Sequence, residues 1–197
     1  QDTYGLLVCL QALDAAGKDG TIRHVMSGVN PQGVQVHSFK APSTEELDHD
    51  YLWRAARNLP ARGDIGIFNR SYYEEVLVVR VHPAILEAQR LPKAARGRDV
   101  WKRRYREIND FERYLTDNGT KILKFMLNIS KEEQAVRLKE RVEKPEKRWK
   151  FNPADLEDRK LWNEYQAAYE TMLQRCSTPW ASASFRSRDC PGSMRCT

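Results

Sequence analysis

The chain has 197 residues, with 33 Lys plus Arg against 27 Asp plus Glu, a formal charge of +6, and 41% hydrophobic residues. That balance excludes a disordered or collagen-like chain, and no apolar run approaches the roughly 20 residues of a membrane helix. The basic excess points to an anionic ligand without choosing among nucleotide, nucleic acid and polyphosphate. The length suits one large domain or a domain with an insertion. Cys9, Cys176, Cys190 and Cys196 form no CxxC pair, which reads as a reducing compartment with neither a disulfide framework nor a zinc site. The start at Gln1, without a leader, reads as a fragment or a processed end, and nothing in it suggests secretion. A cytoplasmic setting is expected.

In chain order, Gly5–Leu10 is a short apolar run, predicted as a fully buried central strand. A glycine-containing turn follows, then a helical stretch to about Ser27. Asn30–Gly33 is a turn, Val34–Phe39 alternates as a second strand, and Ser43-Thr-Glu-Glu46 is a capping-box pattern opening a helix through about Leu59. Pro60–Gly63 is a turn and Asp64–Asn69 a third strand. Tyr72–Val81 fits helix or strand by period, with Arg70-Ser71 favouring a helix start. A helix from about Asp99 to Asp117 carries most of a basic cluster. Lys121–Ile129 is a fourth strand, Ser130–Glu133 opens a helix to about Val142, and Asn152-Pro153 starts a last helix to about Arg175. Strands alternating with helices predict a parallel sheet covered on both faces. Residues 181–197 show no period and read as disordered.

Ala12-x-x-x-x-Gly17-Lys18 lies between a buried strand and a helix, the context a phosphate-binding loop requires. There, backbone N–H groups and the positive helix terminus meet the phosphate, and the lysine adds a mobile charge. Ala12 replaces the usual Gly, and Asp19 stands where Ser or Thr holds Mg²⁺, with Thr21 two residues on. Asp14 is the alternative metal carboxylate. The bland reading is a strand-to-helix turn with a surface lysine.

Asn69-Arg-Ser-Tyr-Tyr-Glu74 follows the third strand, at the edge where open parallel sheets bind ligands. Arg70 can clamp a phosphate bidentately, and Glu74 can orient a ribose, a base or a metal-bound water. Helix capping with a surface ion pair explains the same residues. Asp50 and Arg54, four residues apart, read as a helix pair worth about 0.3–0.5 kcal/mol or as placing Arg54 on an acceptor phosphate. His49 reads as structural. Lys144–Phe151 interleaves cations and aromatics, as a nucleic-acid patch, a lid over a polyanion, or a solvated linker.

Together, Leu13–Ile22, Phe39–Pro42, Glu46–Asp50, Leu52–Arg54, Ile67–Glu74 and Lys147–Phe151 resemble the polyphosphate kinase 2 family in order and spacing, over about Tyr4 to Trp180. The resemblance implies an α/β P-loop kinase fold like thymidylate kinase, a parallel sheet flanked by helices, with a helical lid. It implies Mg²⁺-dependent phosphoryl transfer between inorganic polyphosphate and AMP, ADP or ATP, with Mn²⁺ as the alternative ion.

Carried over by position, Asp14, Lys18, Asn69 and Arg70 are the catalytic candidates, with Asp14 on the metal. Asp50, Arg54 and Glu74 are the nucleotide candidates. Gly17, Lys18, Asp19, Gly20 and Thr21, with Lys147, Arg148 and Lys150 of the lid, are the phosphate and polyphosphate candidates. Asn69 with Glu74 resembles the subgroup that phosphorylates both AMP and ADP. The expected organisation is a phosphotransferase domain over 1–180, with its lid around 137–155, and a tail over 181–197 in place of the family's last strand and helix. A homo-oligomer, dimer or tetramer, is expected, without nucleic acid or membrane as partner. Two other readings stand beside this one: an ATP-dependent nucleoside monophosphate kinase, and an inactive polyanion-binding fragment.

Overall fold

The computed structural model describes residues 2–179 and the segment 182–187. Five strands, β1 (Gly5–Ala12), β2 (Val34–Ser38), β3 (Ile65–Asn69), β4 (Thr120–Asn128) and β5 (Ser182–Ser187), form one sheet among these residues, ordered β2-β3-β1-β4-β5. Every pairing is parallel. β1 is central, with Leu10 opposite Asn69 of β3 and Phe125 of β4. Its run Cys9–Ala12 is buried, as the continuous apolar pattern requires of a strand covered on both faces.

The helices are α1 (Lys18–Val25), α2 (Thr44–Leu47), α3 (Trp53–Ala56), α4 (Val78–Val81), α5 (Pro83–Ala88), α6 (Val100–Asp117), α7 (Lys131–Glu143), α8 (Ala154–Lys160) and α9 (Trp162–Cys176). The α/β class and parallel sheet agree with the expectation from the sequence. Among the described residues no helix is long and apolar enough to cross a membrane.

Local chemistry explains where elements start and break. Ser43 Oγ accepts from the Glu46 amide at 3.2 Å and Glu46 Oε2 accepts from the Ser43 amide at 2.8 Å, a complete capping box. The helix expected through Leu59 is nevertheless two short ones. Asp50 Oδ1 accepts from the Leu52 and Trp53 amides at 2.9 and 3.2 Å, so this carboxylate restarts the helix instead of pairing with Arg54. Tyr72–Val76 is a 3-10 turn leading into α4. The last helix divides at Leu161 into α8 and α9.

The tail expectation is corrected in part. Residues 182–187 are a strand, in register from Leu123 opposite Ser182 to Asn128 opposite Ser187. β5 lies at the edge of the sheet, where it pairs with β4 alone. The expectation of disorder over 188–197 lies outside the described residues.

Leu7, Cys9, Phe68, Val76, Leu77 and Ile108 anchor the core, each 0–1% exposed. α6 buries Val100, Arg104, Tyr105, Ile108, Glu112 and Leu115 along one stripe. Two of these are charged. Arg104 pairs with Glu75 at 3.0 Å, donates to Gln89 Oε1 at 2.8 Å and lies 4.0 Å from the centroid of the Tyr51 ring. Glu112 pairs with Lys124 of β4 at 2.8 Å. Cys9 and Cys176 are free buried thiols.

Candidate active site

The turn from β1 into α1 bends through left-handed backbone at Ala15 (φ 63°) and Gly17 (φ 100°). Gly17 takes that conformation without steric cost, whereas a Cβ there would also stand 3.3 Å from an Arg137 guanidinium nitrogen. No side chain caps the N-terminus of α1. The unpaired amides of its first turn and its dipole therefore face the loop.

Lys18 folds back over this loop, donating from Nζ to Ala12 O at 2.8 Å and Leu13 O at 3.4 Å. Burial lowers its pKa, against the pull of Asp14. Asp14 and Arg70 face each other from adjacent strand ends, with Arg70 Nη2 donating to Asp14 Oδ1 at 2.6 Å. Glu74 is 3.9 Å from the other guanidinium nitrogen. Burial raises the Glu74 pKa, opposed by Arg70 and Lys18. Burial also works against charge on Arg70, but Glu74 and Asp14 outweigh it and raise its pKa. Arg70 itself sits at φ 64°, a left-handed conformation that costs a non-glycine residue energy.

A third carboxylate knits the site together. Asp19 Oδ1 accepts from Asn69 Nδ2 at 2.9 Å, and Oδ2 accepts from Lys150 Nζ at 3.2 Å. Despite partial burial, these bonds lower its pKa. Asp14, Lys18, Asp19, Asn69, Arg70, Glu74 and Lys150, from three separate stretches of sequence, thus meet at the carboxyl ends of β1 and β3. Beside them opens a small cleft of about 60 Å³, reached by Asp14, Arg70, Glu74, Asp158, Trp162, Tyr165 and Tyr169.

The other candidates stand elsewhere or are otherwise engaged. The Thr21 hydroxyl turns back to Gly17 O at 3.2 Å, and Gly20 leaves open space about its Cα. Asp50 caps α3. Arg54 pairs with Glu46 at 3.3 Å, donates to Lys40 O at 2.9 Å and lies 5.0 Å from the centroid of the Phe39 ring. His49 stacks on Trp53 at 3.9 Å. In the basic segment, Lys147 and Lys144 both pair with Glu140 of α7, at 2.5 and 2.7 Å. These bonds, Lys144 first, hold the Glu140 carboxyl down to about 2. Arg148 donates to Val142 O at 3.0 Å, and Trp149 is 78% exposed.

Sequence reasoning missed α7's part. Arg137 donates to Ala15 O at 3.3 Å and Ala16 O at 3.0 Å, and Gln134 donates to Asp14 O at 3.1 Å. Both residues lie within a highly charged helix, where nothing marks them apart from the Glu133–Arg137 spacing of four.

The donor set suits Mg²⁺. Among the described residues no group of three or more His, Cys, Asp or Glu side chains is arranged to hold a metal. Mg²⁺ needs no such cage, since one or two carboxylates, substrate phosphates and water complete its shell. Asp14 is the loop carboxylate that could serve.

Known proteins resemble the chain over most of its length. The family model described as Polyphosphate kinase 2 matches residues 1–185. An ADP-polyphosphate phosphotransferase of Rhodopseudomonas palustris is 55% identical over 90% of this chain and 63% of its own length. An AMP/ADP-polyphosphate phosphotransferase of Meiothermus ruber is 54% identical over 90% and 62% respectively. The crystal structure of polyphosphate kinase 2 from Arthrobacter aurescens TC1 superposes with a TM-score of 0.81 at 44% identity, over 94% of this chain and 61% of that one. The chain therefore spans somewhat under two thirds of the length of these relatives.

Proposed function

The chain belongs to the polyphosphate kinase 2 family, and from that premise we propose that it transfers the terminal phosphoryl group of inorganic polyphosphate to AMP and ADP. The observation that carries the reading is the pairing of Arg70 with Asp14 at 2.6 Å, beside Lys18 folded over the same loop onto Ala12 O, at the carboxyl edge of the central strands. Phosphoryl transfer needs positioning and charge neutralisation more than a protein nucleophile. In this reading Lys18 leaves the Ala12 carbonyl for the transferring phosphoryl oxygens, and Arg70 binds them through its planar fork. The α1 amides hold the adjacent phosphate of the chain. Mg²⁺, held through Asp14, supplies further neutralisation of the phosphate oxygens when bound. The acceptor phosphate oxygen attacks in line.

Lys147, Arg148 and Lys150 form part of a lid, around residues 137–155, over the polyanion. Lys150 already reaches the loop through Asp19, which supports a segment able to close there. Glu74, which lines the cleft, orients the acceptor. The name of the Meiothermus relative supports AMP as well as ADP as acceptor. A cytoplasmic setting follows from the same reading, since the nucleotide acceptors reside there.

The test incubates the chain with AMP, polyphosphate and Mg²⁺ and resolves the nucleotides by chromatography, with ATP as donor in a parallel arm. ADP and then ATP should form from polyphosphate. Transfer from ATP alone would instead identify a nucleoside monophosphate kinase, and binding without turnover a polyanion-binding fragment.

A further inference from the structure

Two buried tyrosines follow directly on Asn69-Arg70-Ser71, and both end on one carboxylate. Tyr72 Oη donates to Glu112 Oε1 at 2.9 Å and Tyr73 Oη donates to the same oxygen at 2.6 Å. Lys124 Nζ donates to Glu112 Oε2 at 2.8 Å, to Tyr73 Oη at 3.1 Å and to Cys176 O at 2.7 Å. Glu112 is 0% exposed and Lys124 9%. Neither reaches the cleft beside Asp14. The network therefore ties α6, β4 and the end of α9 to the segment that carries Arg70.

For stability alone such a network is a poor solution, because well-packed apolar residues of equal volume do as well or better than a buried ion pair. What it adds is direction. Arg70 is held left-handed, and such strain persists only where the surroundings over-determine it. Upstream, the Arg70 amide donates to Leu10 O at 3.0 Å. Downstream, Ser71 Oγ accepts from the Tyr73 amide at 3.3 Å, and the two hydroxyls fix where Tyr72 and Tyr73 lie. With both sides pinned, the backbone between has one way to turn, and that turn aims the guanidinium at Asp14.

We propose that Glu112 and Lys124 are positioning residues for phosphoryl transfer, acting through the Tyr72 and Tyr73 hydroxyls to hold Arg70 in its strained, loop-facing conformation. The inference rests on the catalytic reading of Arg70, and the experiment separates the two. Tyr72→Phe/Tyr73→Phe removes the hydroxyls without changing ring volume, and Arg70→Lys tests the guanidinium. With ADP, polyphosphate and Mg²⁺, the tyrosine pair should lower kcat about ten-fold per folded molecule, on the scale that misplacement of a reacting group by a fraction of an ångström produces. KM for both substrates should stay within about two-fold. In an Arg70→Lys background the tyrosine pair should cost less than about two-fold more, because residues acting through one another are not additive. Wild-type kcat in Arg70→Lys would overturn the reading of Arg70. Loss in Arg70→Lys with unchanged kcat in the tyrosine pair, or independent multiplication of the two losses, would overturn the positioning alone. Hydrogen exchange gives a readout independent of turnover: amides of residues 69–73 should exchange at least about ten-fold faster in the tyrosine pair, with β1 and β4 unchanged, and identical rates there would overturn the inference. If the pair fails to fold, Tyr73→Phe alone is judged by the same criteria.

Discussion

Replacing Lys18 by Met should separate what this residue does for the fold from what it does for the reaction. A unit charge about 4 Å from a phosphate oxygen is worth about 4 kcal/mol at an effective dielectric constant near 20. At 1.36 kcal/mol per decade that is close to three decades of rate, and single-donor deletions in comparable sites cost about 10²–10³-fold. The fold pulls the other way. Burial lowers the Lys18 pKa below its ordinary value of 10.5 even with Asp14, Glu74 and Asp19 nearby, so the charged form is less favourable in the native protein than in the unfolded chain. Between the native pKa and 10.5 the unfolded chain binds more protons, and stability rises with pH across that window. Below the native pKa the penalty is present in full. Lys18→Met should therefore lose activity about 10²–10³-fold while melting at or above the wild-type temperature, and it should lack the alkaline rise in stability. The assays are initial rates with saturating polyphosphate and ADP, and thermal melts from pH 7 to 10. More than half of the wild-type rate, or a melting temperature several degrees lower, would refute the reasoning.

Asn69→Asp should bring a second carboxylate against Asp19, 2.9 Å from the present amide nitrogen. This raises the shared pKa and depresses AMP use more than ADP use, measured as kcat/KM for each acceptor; equal changes would remove Asn69 from acceptor choice. Substituting Lys147, Arg148 and Lys150 together by Ala should raise the polyphosphate KM at least about ten-fold and leave nucleotide KM nearly unchanged, and an unchanged polyphosphate KM would move the channel elsewhere. Lys124→Met alone strands the buried Glu112 charge and should cost about 3–5 kcal/mol in urea unfolding, whereas Lys124→Met with Glu112→Gln should recover most of that loss.

The sequence made the site's frame legible because its signals are local. A short apolar strand, a glycine able to adopt positive φ and the lysine after it lie within fourteen residues, and the two Ser-x-x-Glu patterns mark helix starts through bonds spanning three residues. Asn69, Arg70 and Glu74 were legible for the same reason, from their place at a strand's end. What was not legible depends on contacts between distant segments. Glu112 and Lys124 look like ordinary surface charges in a helix and a strand until the fold sets them 2.8 Å apart. Arg137 carries no local mark of its contact with Ala15 and Ala16, 122 and 121 residues earlier. Asp50 read as a partner for Arg54 because spacing alone cannot tell an ion pair from a cap. β5 escaped notice because six residues rich in Ser and Ala become a strand through the neighbouring backbone.

The cations of the loop and of the basic segment after α7 have a consequence for how a polyanion would arrive. Lys150, Arg70 and Lys147 do not wait bare in solvent; Asp19, Asp14 and Glu140 already neutralise them. The protein carries its own counter-ions, bonded to the chain. An incoming polyphosphate would displace carboxylates that cannot diffuse away, so fewer dissolved ions are released than there are cations engaged, and affinity should depend on salt less steeply than that number suggests. Asp19 and Glu140, once parted from the lysines that lower their pKa, would bind protons more readily. Polyanion capture at this loop would then register as proton uptake in weakly acidic solution, a signal readable by titration in buffers of different ionisation enthalpy.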